Sequence, residues 1–260
     1  DSVLILRPVD LVKDAVVFTT DRRFSVTADD RAAIWTLAAG LSGALAAGSS
    51  GGGGGGGSSV ALSLAGSVSL NTIDTHTRAR LLDSNVAFGA APAIVSDGWI
   101  TASDTSSIFA IAGSLSLSVA SGQSGSSIAI SAGVAIALNN VVGSTESLVS
   151  NSRLTWAAGA RGDLHIEASS RPSIQAYSAS GALSAGLASQ GGSGIAGSLA
   201  GSGSVNTISM DTSAVLRGST VTVGDALHIG ADASGTDIKA GAGAVAAALA
   251  VSGSGSAVGL

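Results

Sequence analysis

Cysteine, aromatic residues, proline and charge are all scarce in this chain of 260 residues. It has no cysteine and 3 prolines, and only 3% of its residues are aromatic and 11% charged. The missing cysteine excludes a disulfide scaffold and every cysteine-based zinc or redox site. Because aromatic residues are so few, small side chains must do most of the packing. The chain is 45% hydrophobic, which is too apolar for a disordered linker, so we expect it to fold.

Clustered basic residues and long apolar runs are missing as well. The 12 Lys and Arg residues are scattered and the net charge is −5, so we expect no nucleic-acid partner. The most apolar windows, such as residues 244–251, are too short for a transmembrane helix, and we predict no membrane span in this segment. The chain does not open with a signal peptide. We therefore expect an excerpt of a larger protein, located outside the cell or on a bacterial cell surface.

Glycine is abundant, with 37 residues, and it marks an internal repeat. Gly/Ser clusters recur at four places, namely residues 48–59, 121–127, 189–194 and 252–256. Three of them precede an apolar stretch that ends in asparagine, and Asn71, Asn139 and Asn206 are 68 and 67 residues apart. Self-similarity of this period indicates a stacked repeat protein.

A second marker supports the same repeat. Segments of the type FSVTADD and WITASD place one apolar residue at spacings of 74, 66 and 63, at Val26, Ile100, Ile166 and Ile229. We divide the chain into a partial unit at 1–57 and full units at 58–125, 126–192 and 193–260, with no domain boundary. The heptaglycine run 51–57 is typical of a linker, but it aligns with the cluster of the next unit. We interpret residues 48–59 as a lengthened loop within one array.

Alternation of large and small residues predicts β-strands. An Ala-rich helix is the alternative for such segments, but within residues 107–120 the large residues alternate with Ala, Ser and Gly, at Phe109, Ile111, Leu115, Leu117 and Val119. We expect the large face to fill a core. The Ala/Ser/Gly face is expected either to be exposed or to press against another flat sheet.

The predicted fold class is all-β, an elongated parallel β-solenoid (β-helix-like) built from repeats of about 67 residues. The strands exceed the usual length, so we expect Gly113, Gly133 and Gly181 to mark bends. If these glycines are corners, the chain winds as a solenoid; if not, each Gly/Ser cluster is the tip of one of a stack of long β-hairpin repeats. We prefer the solenoid, in which Asn71, Asn139 and Asn206 form a structural Asn ladder.

An Arg-Gly-Asp tripeptide, of the kind that integrins recognise, lies in a predicted turn at Arg161, Gly162 and Asp163. Asp97-Gly98 and Gly224-Asp225 hold the same turn in other units. Turn chemistry therefore explains the glycine and the aspartate, and we retain the tripeptide only as a weak candidate.

Metal sites have little support. His165 and His228 are equivalent positions, but Trp99 takes this place in an earlier unit, so we predict no metal there. Acidic residues near the turns could hold calcium between coils, but neither an EF-hand loop nor a Gly/Asp nonapeptide occurs. We predict no cofactor, with calcium as the one candidate at Asp29, Asp30, Asp97, Asp104, Asp163, Asp225 and Asp232.

An enzyme is not predicted. A β-helical polysaccharide hydrolase or lyase would need paired carboxylates beside aromatic platforms, and the chain has only 3 Trp and 1 Tyr. No Ser-His-Asp arrangement stands out either, because serine is everywhere and the three histidines fit repeats or turns. We therefore predict no catalytic residues.

The motifs IAISAGVAIALN (128–139) and GSVSLNTI (66–73), with a D-x-x-I-x-A strand about 25 residues after the second, at 97–102, resemble repeats of giant bacterial surface proteins. The resemblance is to autotransporter passengers and filamentous-haemagglutinin-like adhesins, over nearly the whole chain beyond residue 20. It implies a β-solenoid stalk with adhesive, biofilm or filament-forming roles. We expect self-association through stacked strands or flat Ala/Ser/Gly faces; the alternative is an adhesin module that binds a host surface or a glycan.

Overall fold

The chain winds into a parallel β-solenoid in the computed structural model. The structure describes residues 4–5, 9–13, 18–20, 23–48, 57–89 and 95–260. Across these ranges every strand pairs in parallel with a strand one coil away, and no helix occurs. The predicted all-β parallel solenoid is confirmed.

Each full coil adds one strand to each of four sheets, which we number I to IV in the order in which the chain visits them. Sheet I contains β1 (Leu4–Ile5), β4 (Arg23–Asp30), β8 (Asp97–Asp104), β12 (Leu164–Ser170) and β16 (Leu227–Asp232). Sheet II contains β5 (Ala33–Gly48), β9 (Ser107–Gly122), β13 (Ser173–Ala188) and β17 (Asp237–Ser252). Sheet III contains β2 (Val9–Lys13), β6 (Ser59–Leu82), β10 (Ser127–Ser150), β14 (Gly194–Arg217) and β18 (Ala257–Gly259). Sheet IV contains β3 (Phe18–Thr20), β7 (Asn85–Phe88), β11 (Arg153–Trp156) and β15 (Thr220–Thr222).

Neighbouring coils are stacked residue by residue. All 24 residues of β10 pair with β6 on one side and with β14 on the other. Val26 pairs with Ile100, and Ile166 pairs with both Ile100 and Ile229, so the second sequence marker follows the register between coils. Parallel pairing on both sides satisfies the backbone N–H and C=O groups of the inner coils.

Each coil has two parts, which we call the body and the wing. The wing consists of the sheet II strands together with the beginning of each long sheet III strand, up to Asn71, Asn139 and Asn206 in β6, β10 and β14. There the two sheets lie face to face, since Ser116 Oγ of β9 donates to the backbone oxygen of Ser63 in β6 at 2.7 Å. The body contains sheets I and IV and the remainder of sheet III.

The body holds the large side chains. Phe88 and Trp156 stack with ring centroids 3.8 Å apart, and Phe24 meets Phe88 edge to face at 6.1 Å. Trp156 Nε1 donates to the backbone oxygen of Ser96 at 2.8 Å, so the buried indole is satisfied. The other main members of this core are Val26, Leu81, Val86, Ile100, Val149, Leu154, Leu164 and Ile166. Burial of these aliphatic and aromatic groups is the main hydrophobic stabilisation of the coil.

The buried side chains become smaller from the body toward the wing tip. At the junction the buried residues are Ile73, Ile108, Val141 and Ile174. Within the wing the two buried clusters consist of alanines. One contains Ala61, Ala120 and Ala129, and the other contains Ala112, Ala135 and Ala137. Small inward side chains allow the two sheets to approach closely, which is one of the two arrangements expected for the Ala/Ser/Gly face.

Two sequence expectations need correction, and the hairpin alternative is excluded. The large face of the wing strands does not fill a core; Leu115 and Leu117 are each 46% exposed. Gly113, Gly133 and Gly181 do not mark bends, because they lie inside the unbroken strands β9, β10 and β13. Consecutive strands such as β9 and β10 are not a hairpin either, since they belong to different sheets. The solenoid therefore does not require glycine corners.

The heptaglycine run connects equivalent strands in the first unit. Gly48 at the end of β5 pairs with Gly122, and Ser59 at the start of β6 pairs with Ser127. The run thus joins the same two strands that SGQSGSS joins in the next coil. The lengthened loop itself falls almost wholly on residues 49–56, which lie outside the described residues.

Candidate functional site: the apolar wing

The outer surface of the wing is apolar on both of its sheets. In the coil formed by β8 to β11 the outward positions of sheet II hold Leu115 and Leu117, and those of sheet III hold Ile130, Val134 and Leu138, all of them exposed. The equivalent rows of the other coils are also exposed, at Leu37, Leu41, Leu45, Leu62, Leu64, Val68, Leu70, Leu183, Leu187, Leu199, Val205, Val245 and Leu249. A contiguous apolar surface of this kind is rare on a soluble monomer and marks an interaction site.

Charge is confined to the body, except for Asp237 and Lys239 at the start of β17. Residues 32–73, 105–145, 172–210 and 240–260 contain no Asp, Glu, Lys or Arg, and these ranges contain nearly the whole wing of each coil. The chain therefore separates into a wing that is almost free of charge and a charged body. The Gly/Ser clusters at the wing tips are polar but uncharged.

Aromatic residues stand where the wing joins the body. Trp35 is 69% exposed and Tyr177 is 42% exposed, both on the outer face of sheet II. Phe109 lies between them in the stack; its ring centroid is 6.1 Å from that of Trp35 and 6.3 Å from that of Tyr177. The sequence predicted a core position for Phe109, whereas the structure places all three aromatic residues on the outer face of sheet II.

Hydroxyl groups connect the two sheets inside the wing. Ser198 of β14 donates to the backbone oxygen of Ala247 at 2.6 Å, and Ser202 donates to that of Gly243 at 2.8 Å. These bonds use carbonyl oxygens of the facing sheet, so they join two sheets that no backbone ladder joins. The side chains on the inner faces are small, and the two Ala/Ser/Gly faces pack against and hydrogen-bond each other. Between two paired sheets these faces are therefore covered and cannot contact a partner.

The three repeated asparagines are joined by side-chain hydrogen bonds at the base of the wing. Asn71 Nδ2 donates to Asn139 Oδ1 at 2.7 Å, and Asn139 Nδ2 donates to Asn206 Oδ1 at 2.8 Å. Asn139 pairs with both others in the backbone register and is buried. Each amide thus satisfies the next, which is the arrangement that an amide stack needs away from water.

The Arg-Gly-Asp tripeptide is bonded into the coil stack. Arg161 Nε lies 3.3 Å from Asp225 Oδ1, and Gly162 N donates to Asp225 Oδ2 at 3.0 Å. Asp163 Oδ1 accepts a hydrogen bond from Ala226 N at 2.8 Å. Gly162 has φ +134°, and a β-carbon there would lie 2.1 Å from the backbone oxygen of Ser96, so the glycine is required by the turn. All three residues thus contact the neighbouring coil.

His165 and His228 form part of an aromatic stack. The Trp99 and His165 rings are 3.8 Å apart with planes 6° from parallel, and His165 and His228 are 4.6 Å apart with planes 13° from parallel. Asp163 lies beside them, and the three residues Asp163, His165 and His228 offer potential metal ligand atoms within 4.8 Å of one another. Parallel imidazoles direct their nitrogen lone pairs side by side and not toward one point, so stacking explains the geometry better than chelation.

The acidic residues of the coil corners accept hydrogen bonds from their own turns. Asp104 is fully buried, and its carboxylate accepts from Thr75 Oγ1 at 2.8 Å, Ser106 N at 3.0 Å and Ser106 Oγ at 3.1 Å. Asp232 accepts from Ser234 N and Oγ in the same kind of turn. These bonds, with Arg171 nearby, lower the pKa of Asp232 from 3.8 to about 2. Asp104 and Asp232, two of the carboxylates considered for calcium, thus serve as turn acceptors here.

Comparison with known proteins gives no relative: no family model, no curated protein and no solved structure matches the chain. The resemblance to bacterial surface repeats therefore stays a prediction. Across the described ranges, no helix has the length and apolar character needed to cross a membrane.

The wing surface is the feature that reasoning from sequence missed. Alternation of residue size predicts the strands, but the rule that large apolar residues are buried predicts the wrong face for the interior of the wing. The signal that would have helped is the absence of charge over whole segments such as 105–145. A strand pair with one face in water normally carries charged or strongly polar residues on that face.

Proposed function

We propose that the chain is a structural repeat segment of a large extracellular bacterial protein, whose stacked coils build a stiff rod and whose wing is its contact surface. The observation that carries the proposal is the unbroken register between coils, seen in the 24-residue pairing of β10 with both neighbours. A stack in which each coil hydrogen-bonds the next along four sheets resists bending and shear.

The ends of the stack support growth of the rod. β5 and β17 are the outer strands of sheet II, and each pairs with one described strand, β9 and β13 respectively. Backbone groups along such an edge pair readily with another strand of the same kind. End-to-end association of copies, or continuation by further repeats, would satisfy them.

A structural role also fits the use of polar side chains. Asp104, Asp163 and Asp232 are acceptors for turn or inter-coil bonds, and Asn139 is held in the amide stack. These are the residue types that an enzyme of this fold would need free in a groove. If the segment is adhesive, the outer faces of the wing are the surface that would contact the partner.

Negative-stain microscopy with X-ray fibre diffraction tests the rod. We expect rods of constant width and variable length, with a reflection near 4.8 Å along the rod axis, because strands lie across that axis. Compact single particles at every concentration, without that reflection, would contradict the proposal. The variant carrying Leu115→Asp and Leu117→Asp is the control, and it should still form rods because both substitutions lie on an outer face and not at a strand edge.

A further inference from the structure

We infer that the wing inserts into the hydrocarbon layer of a lipid bilayer, with the body left outside it in water. This inference goes beyond the structural role, and it rests on the proposed rod only in that the outer strands of the wing need a neighbouring coil. It differs from the sequence prediction of no membrane span, which considered helices alone. It concerns the outer faces of sheets II and III, whose occupant must be apolar.

Both sides of the wing are apolar at the same distance from the body. Leu115 and Leu117 lie on the outer face of sheet II, while Ile130 and Val134 lie on the outer face of sheet III across the same coil. Between them the inward faces are closed by contacts such as Ser116 to Ser63. Because both outer faces of the wing are apolar, both need an apolar environment. A lipid bilayer provides one, since its acyl chains can contact the wing on both sides.

The apolar band has the length of a bilayer core. From Phe109 to Val119 in sheet II, and from Ile128 to Leu138 in sheet III, ten residue steps give about 33 Å of strand. The hydrocarbon core of a bilayer is about 30 Å thick. Beyond the band lies the uncharged cluster at 121–127, and before it lies the charged body. In the outer strand β17 the first position of the band is Lys239, which is paired with Asp237 at 3.0 Å and lies at the end next to the body. The rest of the band holds no ionised side chain that would have to enter hydrocarbon.

The boundary between wing and body has the composition of a membrane interface. Trp35 and Tyr177 are exposed there, on the outer face of sheet II, and these two residue types concentrate at the level of lipid headgroups. Within the band the strands of the inner coils hydrogen-bond on both sides, as β9 does with β5 and β13. Backbone groups inside lipid must be satisfied within the protein. The inner strands meet this requirement, while the outer strands β5 and β17 need a further coil or a second copy beside them.

A second copy of the chain fits the surface less well. A two-fold contact between copies covers one outer face of each wing and leaves the other in water. Nor does such a contact require the absence of charge from residues 105–145, since interfaces between copies tolerate charge at their rims. The bilayer explains the two faces, the length and the charge distribution together.

Flotation with vesicles tests the inference directly. The probe is dioleoyl phosphatidylcholine vesicles, and we expect the full chain to float with them at low and at high salt, because no charge takes part. Leu115→Asp with Leu117→Asp should lower the vesicle partition coefficient more than about tenfold. The matched control carries Thr220→Asp and Thr222→Asp, which add the same charge at two exposed positions of β15 in the body, and it should float like the parent. Circular dichroism and a thermal melt establish that both variants fold.

A depth probe keeps the test independent of those variants. The chain has no cysteine, so Leu117→Cys and Arg153→Cys each provide one labelling site, on the wing and on the exposed surface of the body respectively. A nitrobenzoxadiazole label at position 117 should shift to the blue and be quenched by brominated phosphatidylcholine, while a label at 153 should not change. A chain that stays unbound, or equal quenching at both positions, would overturn the inference. Wing-dependent association of copies without flotation would show that a second copy, and not lipid, covers the surface.

Discussion

A β-carbon built on Gly133 of sheet III would lie 2.5 Å from the backbone oxygen of Gly181 in sheet II. The two residues face each other across the wing, and at this position the sheets come so close that a methyl group has no space, although the partners of Gly133 in the neighbouring coils are Ala65 and Ala200. Glycine at position 133 therefore serves contact between sheets, although the sequence suggested a bend. The small inward faces and the large outward faces are consequences of the same close approach.

Replacing Gly133 with alanine should destabilise the fold. The clashing atom belongs to backbone, which cannot rotate away as a flexible side chain would, so we expect a loss of about 2 kcal/mol in the free energy of unfolding. Urea unfolding followed by circular dichroism measures it. Gly197→Ala is the matched control, because no atom lies within 4 Å of a β-carbon there. It should be neutral or slightly stabilising, and an equal loss in both variants would contradict the close approach.

Ser116 and Ser118 carry two buried hydroxyls on the same strand, and only one of them makes a hydrogen bond. Ser116 Oγ donates across the wing to the Ser63 backbone oxygen at 2.7 Å, whereas Ser118 Oγ has no hydrogen-bond partner. Ser116→Ala should cost about 1 kcal/mol, while Ser118→Ala should be neutral or stabilising because it removes an unsatisfied polar group. Denaturation midpoints of the two variants check this; the reverse order would be inconsistent with the described sheet pairing.

The amide stack predicts a cost for losing its central member. Asn139→Ala leaves the Asn71 donor and the Asn206 acceptor without the amide that they now contact, so we expect a loss of about 2 kcal/mol. The neighbouring Asn140 points to the other face of β10, and Asn140→Ala should change stability by less than about 0.5 kcal/mol. Thermal melting of both variants provides the comparison. Similar effects in the two would mean that the stack contributes nothing specific.

Much of the fold can be predicted from the sequence, but the face of the wing strands that points inward cannot. The period is readable because identical positions such as Ile100 and Ile166 must pair between coils, and strand parity is readable because side chains alternate along a strand. Which face points inward is not set by residue size alone. Burying Leu117 would gain hydrophobic stabilisation, but it would separate sheets that Ser116 and Gly133 hold together. Contacts between two strands of the wing therefore determine which face of each strand points inward. The residue pattern within either strand does not reveal those contacts.

Asp232 should titrate near pH 2. Its pKa is lowered from 3.8 to about 2, first by the Ser234 hydroxyl, then by the Ser234 backbone N–H and by Arg171. Because the pKa in the folded state is the lower one, the stabilisation from this turn is complete above pH 3.8 and is lost as the pH falls toward 2. Carboxyl ¹³C NMR measures the midpoint. Ser234→Ala should move it upward toward 3.8, and an unchanged midpoint would show that the serine does not hold the carboxylate.

The orientation of the wing strands is tested most directly by two adjacent cysteines. Ser116→Cys and Leu117→Cys place one thiol each on the inner and the outer face of β9, in a chain that has no other cysteine. In lipid-free buffer, the cysteine at 117 should react with a charged maleimide at about the rate of an unfolded control, because Leu117 is 46% exposed. The cysteine at 116 should react far more slowly, since Ser116 is fully buried. Fast reaction at 116 with protection at 117 would contradict the account, because it would put the large residues inside the wing.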